Sequence, residues 1–258
     1  MRRTLAALAL LAALPIRAQG MEKHWYLDVH EFAPTLTGHA QGTTGGNKFD
    51  VDLGDDLGLG KDKTRLGFGV EYQGPRFGLA FSQDGESYKG LNRVTRPVTI
   101  NGVTYNPSTL VSSTFKTVNN NLNWTIRLFT EPKYWFGIDL GVRATQVEIS
   151  AVGDDTITGL HATADYKGTL PIPQIGPAAG FVADGGRVIG RIQWNYLTYK
   201  GCTYNHPTLD LRMFPLSWLG VLVFADDERF SMPLNSVKTG FDAGLDRKGI
   251  GLGLVAKF

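Results

Sequence analysis

The chain has a single cysteine, Cys202, in 258 residues, so no disulfide within the chain can staple it. It also lacks an apolar run long enough for a membrane-crossing helix, which needs roughly 20 residues. The stretch over residues 4–16 falls short, and the next longest, about 218–225, is shorter still. An excess of charge of either sign is missing as well. Lys and Arg number 26 against 24 Asp and Glu, a net +2, which gives no footprint for nucleic acid. Pro/Ser-rich linkers and shifts in composition are absent, so one domain is expected.

What is abundant is glycine, 32 residues, with aromatics at 11%. Tight turns and crowded strand walls use both. At the start, Arg2 and Arg3 precede the apolar stretch and Ala18 offers a small cleavage residue, which reads as a secretory signal peptide over residues 1–18. Its removal takes away Arg2, Arg3 and Arg17 and no acid, so the +2 becomes −1. No cysteine stands near residue 18 to carry a lipid, and residues 19–258 are left as the single domain.

The dominant pattern has a period of two. Ile250, Leu252, Leu254, Ala256 and Phe258 alternate with Gly251, Gly253, Val255 and Lys257, which places the two sets on opposite faces of a strand. Leu66, Phe68, Val70 and Tyr72 do the same against Arg65, Gly67, Gly69 and Glu71, and comparable segments recur along the chain. Counting between turn signals gives ten strands, or eight if the short strand near Leu209 and a neighbour are miscounted. In the first, over residues 25–37, the apolar parity slips near Glu31, which predicts a bulge. Turns at 73–75, 130–132, 183–186 and 215–217 are short. Connections at 39–63, 85–112 and 231–247 are long, and those at 150–159 and 201–206 are intermediate.

Alternation alone does not say which face is inside. A soluble sandwich would bury the apolar set, whereas a membrane barrel would expose it to lipid. The loop asymmetry favours the barrel, with short turns on one side and long loops on the other. So do the aromatics, because Trp25, Tyr72, Trp135, Phe214, Trp218 and Phe258 all fall near the short-turn end, as an interfacial girdle would.

These features together resemble the Gram-negative outer-membrane β-barrel superfamily over essentially the whole chain after residue 18. The resemblance implies an all-β, closed antiparallel transmembrane barrel with short periplasmic turns and long extracellular loops. It implies outer-membrane lipids as surroundings, and the barrel assembly machinery as a partner reading the terminal strand at Phe258. It names no activity, since such barrels serve as anchors, pores, adhesins and enzymes.

The face opposite the lipid carries the charges. Glu71, Arg76, Arg127, Asp139, Arg143, Arg191, Asp210 and Arg212 are the expected lumen-lining set, joined by Asp28, Arg65, Asp84, Asp165, Lys167 and Lys257. Glu71 with Arg76, and Arg127 with Asp139, lie at matching heights on adjacent strands. A narrow barrel lets such side chains pair across its lumen and close it. The alternative is a path for ions or small polar solutes.

Residues 49–59, FDVDLGDDLGL, hold four aspartates, but without the spacing of a calcium loop; an acidic strand extension at the outer rim is expected. Asn101-Gly102 predicts a type I′ hairpin projecting as an extracellular finger. Histidines near acids, such as His161 by Asp154 and Asp155, or His206 in an expected outer loop, could serve a rim hydrolase of lipid or peptide, yet no motif accompanies them. Cys202 and His206 alone are too few to hold zinc. The reading is a non-enzymatic structural, surface or binding barrel with no catalytic residue, metal or cofactor assigned. A channel and a rim hydrolase are the alternatives.

Overall fold

A computed structural model describes residues 23–44, 46–59, 65–154, 161–233 and 241–258. The expected signal peptide lies outside them. The described residues form thirteen strands: β1 His24–Thr44, β2 Asn47–Asp52, β3 Arg65–Gln73, β4 Phe77–Arg93, β5 Val98–Ile100, β6 Val103–Tyr105, β7 Leu110–Thr130, β8 Tyr134–Asp154, β9 His161–Ala183, β10 Val188–Tyr199, β11 Cys202–Met213, β12 Leu219–Met232 and β13 Phe241–Lys257. Ten of them pair in the order β1-β3-β4-β7-β8-β9-β10-β11-β12-β13, and β13 returns to β1. Every step in this ring is antiparallel, and it closes over seventeen register pairs from Tyr26↔Lys257 to Gly42↔Phe241. The other three, β2, β5 and β6, hang from β1 beyond one end of the ring.

Exposure decides the direction of the alternation. Leu252 and Leu254 are 59% and 61% exposed, whereas Arg143 and Asp139 are 1% and 0% exposed. Water-soluble proteins bury the first kind of residue and expose the second. The exterior is therefore a continuous apolar belt, with Val29, Leu66, Trp124, Phe136, Ile192 and Leu209 all exposed on it. Such a surface suits hydrocarbon, and the ring suits it too, because closure leaves no unpaired strand edge. No helix among the described residues is long and apolar enough to cross a membrane.

Several local expectations change. The bulge near Glu31 does not form, since β1 keeps one register with β3 and β13 throughout. Phe32 and Leu36 stay in phase with Tyr26 and point inward, Phe32 against Phe224 and the Arg247 guanidinium and Leu36 into the apolar upper lumen. The real irregularity lies between Arg127 and Phe129 in β7. The connection expected at 85–112 is largely strand, because β4 and β7 pair as far as Arg93↔Leu110.

Two girdle residues also turn inward. Trp135 is 3% exposed and Phe214 2%. Trp135 packs over Gly180, where a Cβ would collide with its indole, and carries the Arg127 guanidinium 4.7 Å from its ring. Phe214 packs with Tyr26 and meets the Lys257 ammonium at 4.6 Å. Trp25, Trp218 and Phe258 do face outward, at 51%, 55% and 65% exposed, and Tyr72 packs beside Trp25 with its ring tilted by 54°. The belt of that rim is completed by Phe129, Tyr134 and Phe181.

A charge placed in the belt tests the direction of the wall. Leu254→Arg is expected to lower unfolding free energy in phospholipid vesicles by about 2–4 kcal/mol. Guanidinium titration measures it, and a loss below about 1 kcal/mol would mean that this face does not meet hydrocarbon.

Candidate functional site

The lumen is filled in layers. The layer nearer the short turns centres on Glu71 of β3. Its carboxylate accepts from Arg191 Nη1 at 2.7 Å, Arg212 Nη2 at 2.5 Å and Gln73 at 2.9 Å. Arg191 continues to Asp139 at 3.4 Å, and Thr125 donates to the same carboxylate at 2.7 Å. The guanidinium of Arg212 lies 4.8 Å from the Tyr26 ring.

The second layer centres on Arg247 of β13. It reaches Asp84 at 3.2 Å, Glu228 at 3.0 Å and Asp226 at 3.4 Å, and also pairs with Glu86. Arg143 donates to Glu228 at 2.8 Å and to Asn121 at 3.1 Å. Tyr204 donates to Glu228 at 3.1 Å, and His206 meets Asp226 at 2.7 Å. Several of these pairs span the lumen, β3 to β10 and β11, β8 to β12, and β4 to β13. Charges this deeply buried are tolerable only when paired and hydrogen-bonded.

The expected neighbour pairs are replaced by these cross-lumen ones. Arg76 sits exposed in the turn before β4 and does not line the lumen. Arg127 is buried, but donates to the Gly74 carbonyl at 2.6 Å and to Gln73 at 3.3 Å instead of meeting Asp139. Arg143, Arg191, Asp210 and Arg212 are brought together around a cavity of about 160 Å³ between the layers, with Asp28 beside them. Asp165 and Lys167 point outward. The side chain of Arg65 lies outside the described residues. Sequence reading missed Glu86, Asp226, Glu228 and Arg247. For Asp226 and Glu228 the parity was legible in a strand over residues 218–230, and for Glu86 and Arg247 only once β4 and β13 were drawn long enough.

Above the second layer the lumen turns apolar, under a lid. Residues 47–59 pair with β1 and then curl into a turn. There Asp52 Oδ1 accepts from the Gly54 and Asp55 amides at 2.8 and 2.7 Å, and Asp56 accepts from the Asp52 amide at 2.7 Å. Arg96 clamps Asp50 at 2.8 Å and Asp56 at 2.5 Å. The segment is thus a clamped lid and not a solvated strand extension, since Phe49, Val51, Leu53, Leu57 and Leu59 are all buried beneath it.

The hairpin of β5 and β6 turns at Asn101 and Gly102, both at positive φ, as the Asn-Gly pair requires. It does not project. Val98, Ile100 and Tyr105 are buried, Tyr105 donates to the Ala151 carbonyl at 2.8 Å, and Asn101 donates to the Asp165 carbonyl at 2.6 Å. Burial pushes the Tyr105 hydroxyl up to about 12.

Between lid and second layer lies a chamber of about 250 Å³. Its walls are apolar, with Leu36, Phe115, Ile149, Ile172 and Leu245, and its roof is Phe49 and Leu53. Glu86, Glu228 and Arg247 face it from below, with Thr117, Asn119 and Thr145. The Thr117 hydroxyl is buried without a hydrogen-bond partner.

The histidines take other places. His206 belongs to β11 and points into the lumen at 7% exposed, not into a loop. His161 meets Asp154 at 2.5 Å and His39 meets Asp242 at 2.8 Å. Each joins neighbouring strands at the rim, as cross-strand pairs do.

No protein-family model matches the chain and no curated protein resembles it significantly. Solved structures do. The outer membrane protease OmpT of Escherichia coli aligns with a TM-score of 0.63 at 12% identity, covering 93% of this chain and all of that one. The fold is that of the Gram-negative outer-membrane β-barrels. The toluene transporter TodX of Pseudomonas putida, at 6% identity and TM-score 0.35, covers 96% of this chain and 93% of its own. Ail of Yersinia pestis, at 12% and 0.31, covers 92% and 100%. At such identities the likeness concerns the barrel and says nothing of chemistry.

Two substitutions probe the layers and the lid. Arg247→Ala leaves four carboxylates facing one another and is expected to cost about 3–5 kcal/mol of stability in denaturant titration. Arg96→Ala is expected to raise amide exchange across residues 47–59 and 94–105 while the ring strands keep their protection.

Proposed function

We propose that this chain is a non-enzymatic outer-membrane barrel that binds a small apolar or amphipathic molecule in the lidded chamber. The single observation behind the reading is the order of closures along the lumen. Two salt-bridged layers block it from the short-turn end, and the lid covers the other. The space left between them is walled by hydrocarbon, as ligand pockets mostly are. A conducting pore needs a continuous polar path, and the layers interrupt one. Export by residues 1–18 and insertion through the terminal strand at Phe258 belong to the same reading, as does a resting place among outer-membrane lipids.

Planar-bilayer recording of the purified protein is expected to show no steady open steps at moderate voltage. Regular unitary steps would favour the channel alternative and sink the closed-lumen reading. Binding is tested separately with decan-1-ol by calorimetry on the detergent-solubilised protein. Saturable binding that weakens at least tenfold in Ile149→Arg, which puts a charge in the chamber wall, is the expected result. Absence of binding in the unmodified protein would refute the chamber's role.

A further inference from the structure

The wall beside the chamber has one incomplete joint. Strand β9 pairs with β8 along its whole length, from Phe181↔Tyr134 to His161↔Asp154. With β10 on its other side it pairs only from Ala183↔Val188 to Ala178↔Gln193. Above that point, residues 161–177 of β9 and 194–199 of β10 share no register pair. At Gly176 the two strands still touch, since a Cβ there would collide with the Trp194 carbonyl, and Asn195 donates to Gln174 at 3.4 Å; the backbone ladder ends here, and any parting lies above Gln174.

An unpaired strand edge is normally excluded from hydrocarbon, because each bare N–H costs several kcal/mol there. Between residues 171 and 177 this edge has lost three of its four donors. The Val182 amide donates to Lys133, on the β8 side, so even-numbered residues of β9 aim their N–H at β8 and odd-numbered ones at β10. Pro171, Pro173 and Pro177 are all odd, and proline has no N–H. Their side chains face outward at the height of Val142, Ala144 and Ile138 of β8, with Ile175 exposed among them. Outward polar residues, Asp165, Lys167 and Thr169, begin only above Pro171. The joint therefore opens within the outer part of the apolar belt.

The same edge borders the chamber. Gly168, Thr169, Leu170 and Ile172, which flank Pro171, line it, and Leu170 is 38% exposed although its parity is inward. The lid is fastened over the mouth by Asn101 to the Asp165 carbonyl of this edge. The mouth is thus covered, while the side is closed above Gln174 by no backbone ladder.

We propose that the seam between β9 and β10 is a lateral entrance through which an amphiphile with one hydrocarbon chain and an uncharged polar end passes from the bilayer into the chamber. The proposal rests on the binding reading above. The chain matches the apolar walls, and the polar end meets Thr117, Asn119 and Thr145 above the second layer. That layer holds Asp84, Glu86, Asp226 and Glu228 against Arg143, Arg247 and His206, so an anionic end is disfavoured.

The test uses the full chain folded in phospholipid vesicles and a ten-carbon alcohol carrying a diazirine in mid-chain. Photolabelling at intervals after mixing gives the rate of entry, its plateau gives occupancy, and mass spectrometry of the peptides locates the label. Plateau labelling of chamber residues such as Ile149 and Leu245 in the unmodified protein is expected, and the corresponding ten-carbon diazirine carboxylate should label them at least tenfold less. The variant Pro171→Thr/Pro173→Val/Pro177→Val restores three donors that can zip β9 to β10. It should slow labelling at least tenfold and leave the plateau unchanged, with folding checked by heat-modifiable migration on a gel.

Should that variant fail to fold, Ile175→Cys with Tyr196→Cys in a Cys202→Ser background, bridged by a short bis-maleimide, closes the same seam. Entry as fast in the closed-seam variant as in the unmodified protein, together with acceleration by Arg96→Ala, would place the entrance at the mouth and overturn the proposal. Equal labelling by alcohol and carboxylate would overturn the assignment of an uncharged end. No chamber labelling in any form would instead refute the binding reading itself.

Discussion

Backbone hydrogen bonding in an apolar medium governs this structure. Each peptide group carries a donor and an acceptor that hydrocarbon will not satisfy. A strand wall meets that demand only by closing, which is what β13 does on β1. Once closed, the outside must be apolar and the inside is left to whatever can be packed or paired there. The exposed leucines and the buried arginines are two consequences of one constraint. Where the ladder between β9 and β10 stops, three prolines remove donors that would otherwise lack a partner.

The interior solves a second problem. Ten strands enclose more space than one layer of side chains fills, and the charged residues come from walls facing one another. Arg191 and Arg212 converge on Glu71, and Arg247 draws together acids of β4 and β12. These pairs set the barrel's cross-section, because a guanidinium and a carboxylate must meet at hydrogen-bond distance. They also divide the lumen, leaving the upper part to the apolar lid cluster. The chamber lies at the boundary between the two regimes, with charge below and hydrocarbon around and above.

Much of the fold was legible because a strand's two faces repeat every second residue. Leu66 to Tyr72 and Ile250 to Phe258 announce themselves that way, and the short turns at 73–75 and 130–132 were marked by Gly-Pro and Glu-Pro. The readings that failed share a cause. Phe32 and Leu36 looked like a slip of parity because apolar residues were assigned to the outside only, whereas the lumen takes apolar side chains as well, Phe32 beside Arg247 and Leu36 under the lid. Trp135 and Phe214 stood at the right height for a girdle, but height does not reveal the face when a cation waits inside. Glu71 with Arg76 was a reasonable neighbour pair, but in a closed ring the opposite wall is as near as the next strand.

The sequence by itself determined the strand periodicity and the gathering of the short turns at one end, since these follow from local alternation and turn chemistry. It also supplied part of the list of inward charges, wrongly including Arg76, Asp165 and Lys167 and leaving out Glu86, Asp226, Glu228 and Arg247. Only the tertiary structure decided which charges meet, that residues 47–59 and 98–105 fold down as a lid, and that the β9–β10 ladder stops at Ala178. The contacts that decide this include pairs as distant as Arg96 with Asp56, 40 positions apart, and Arg247 with Asp84, 163 apart, and no local pattern encodes how a ring brings distant strands face to face.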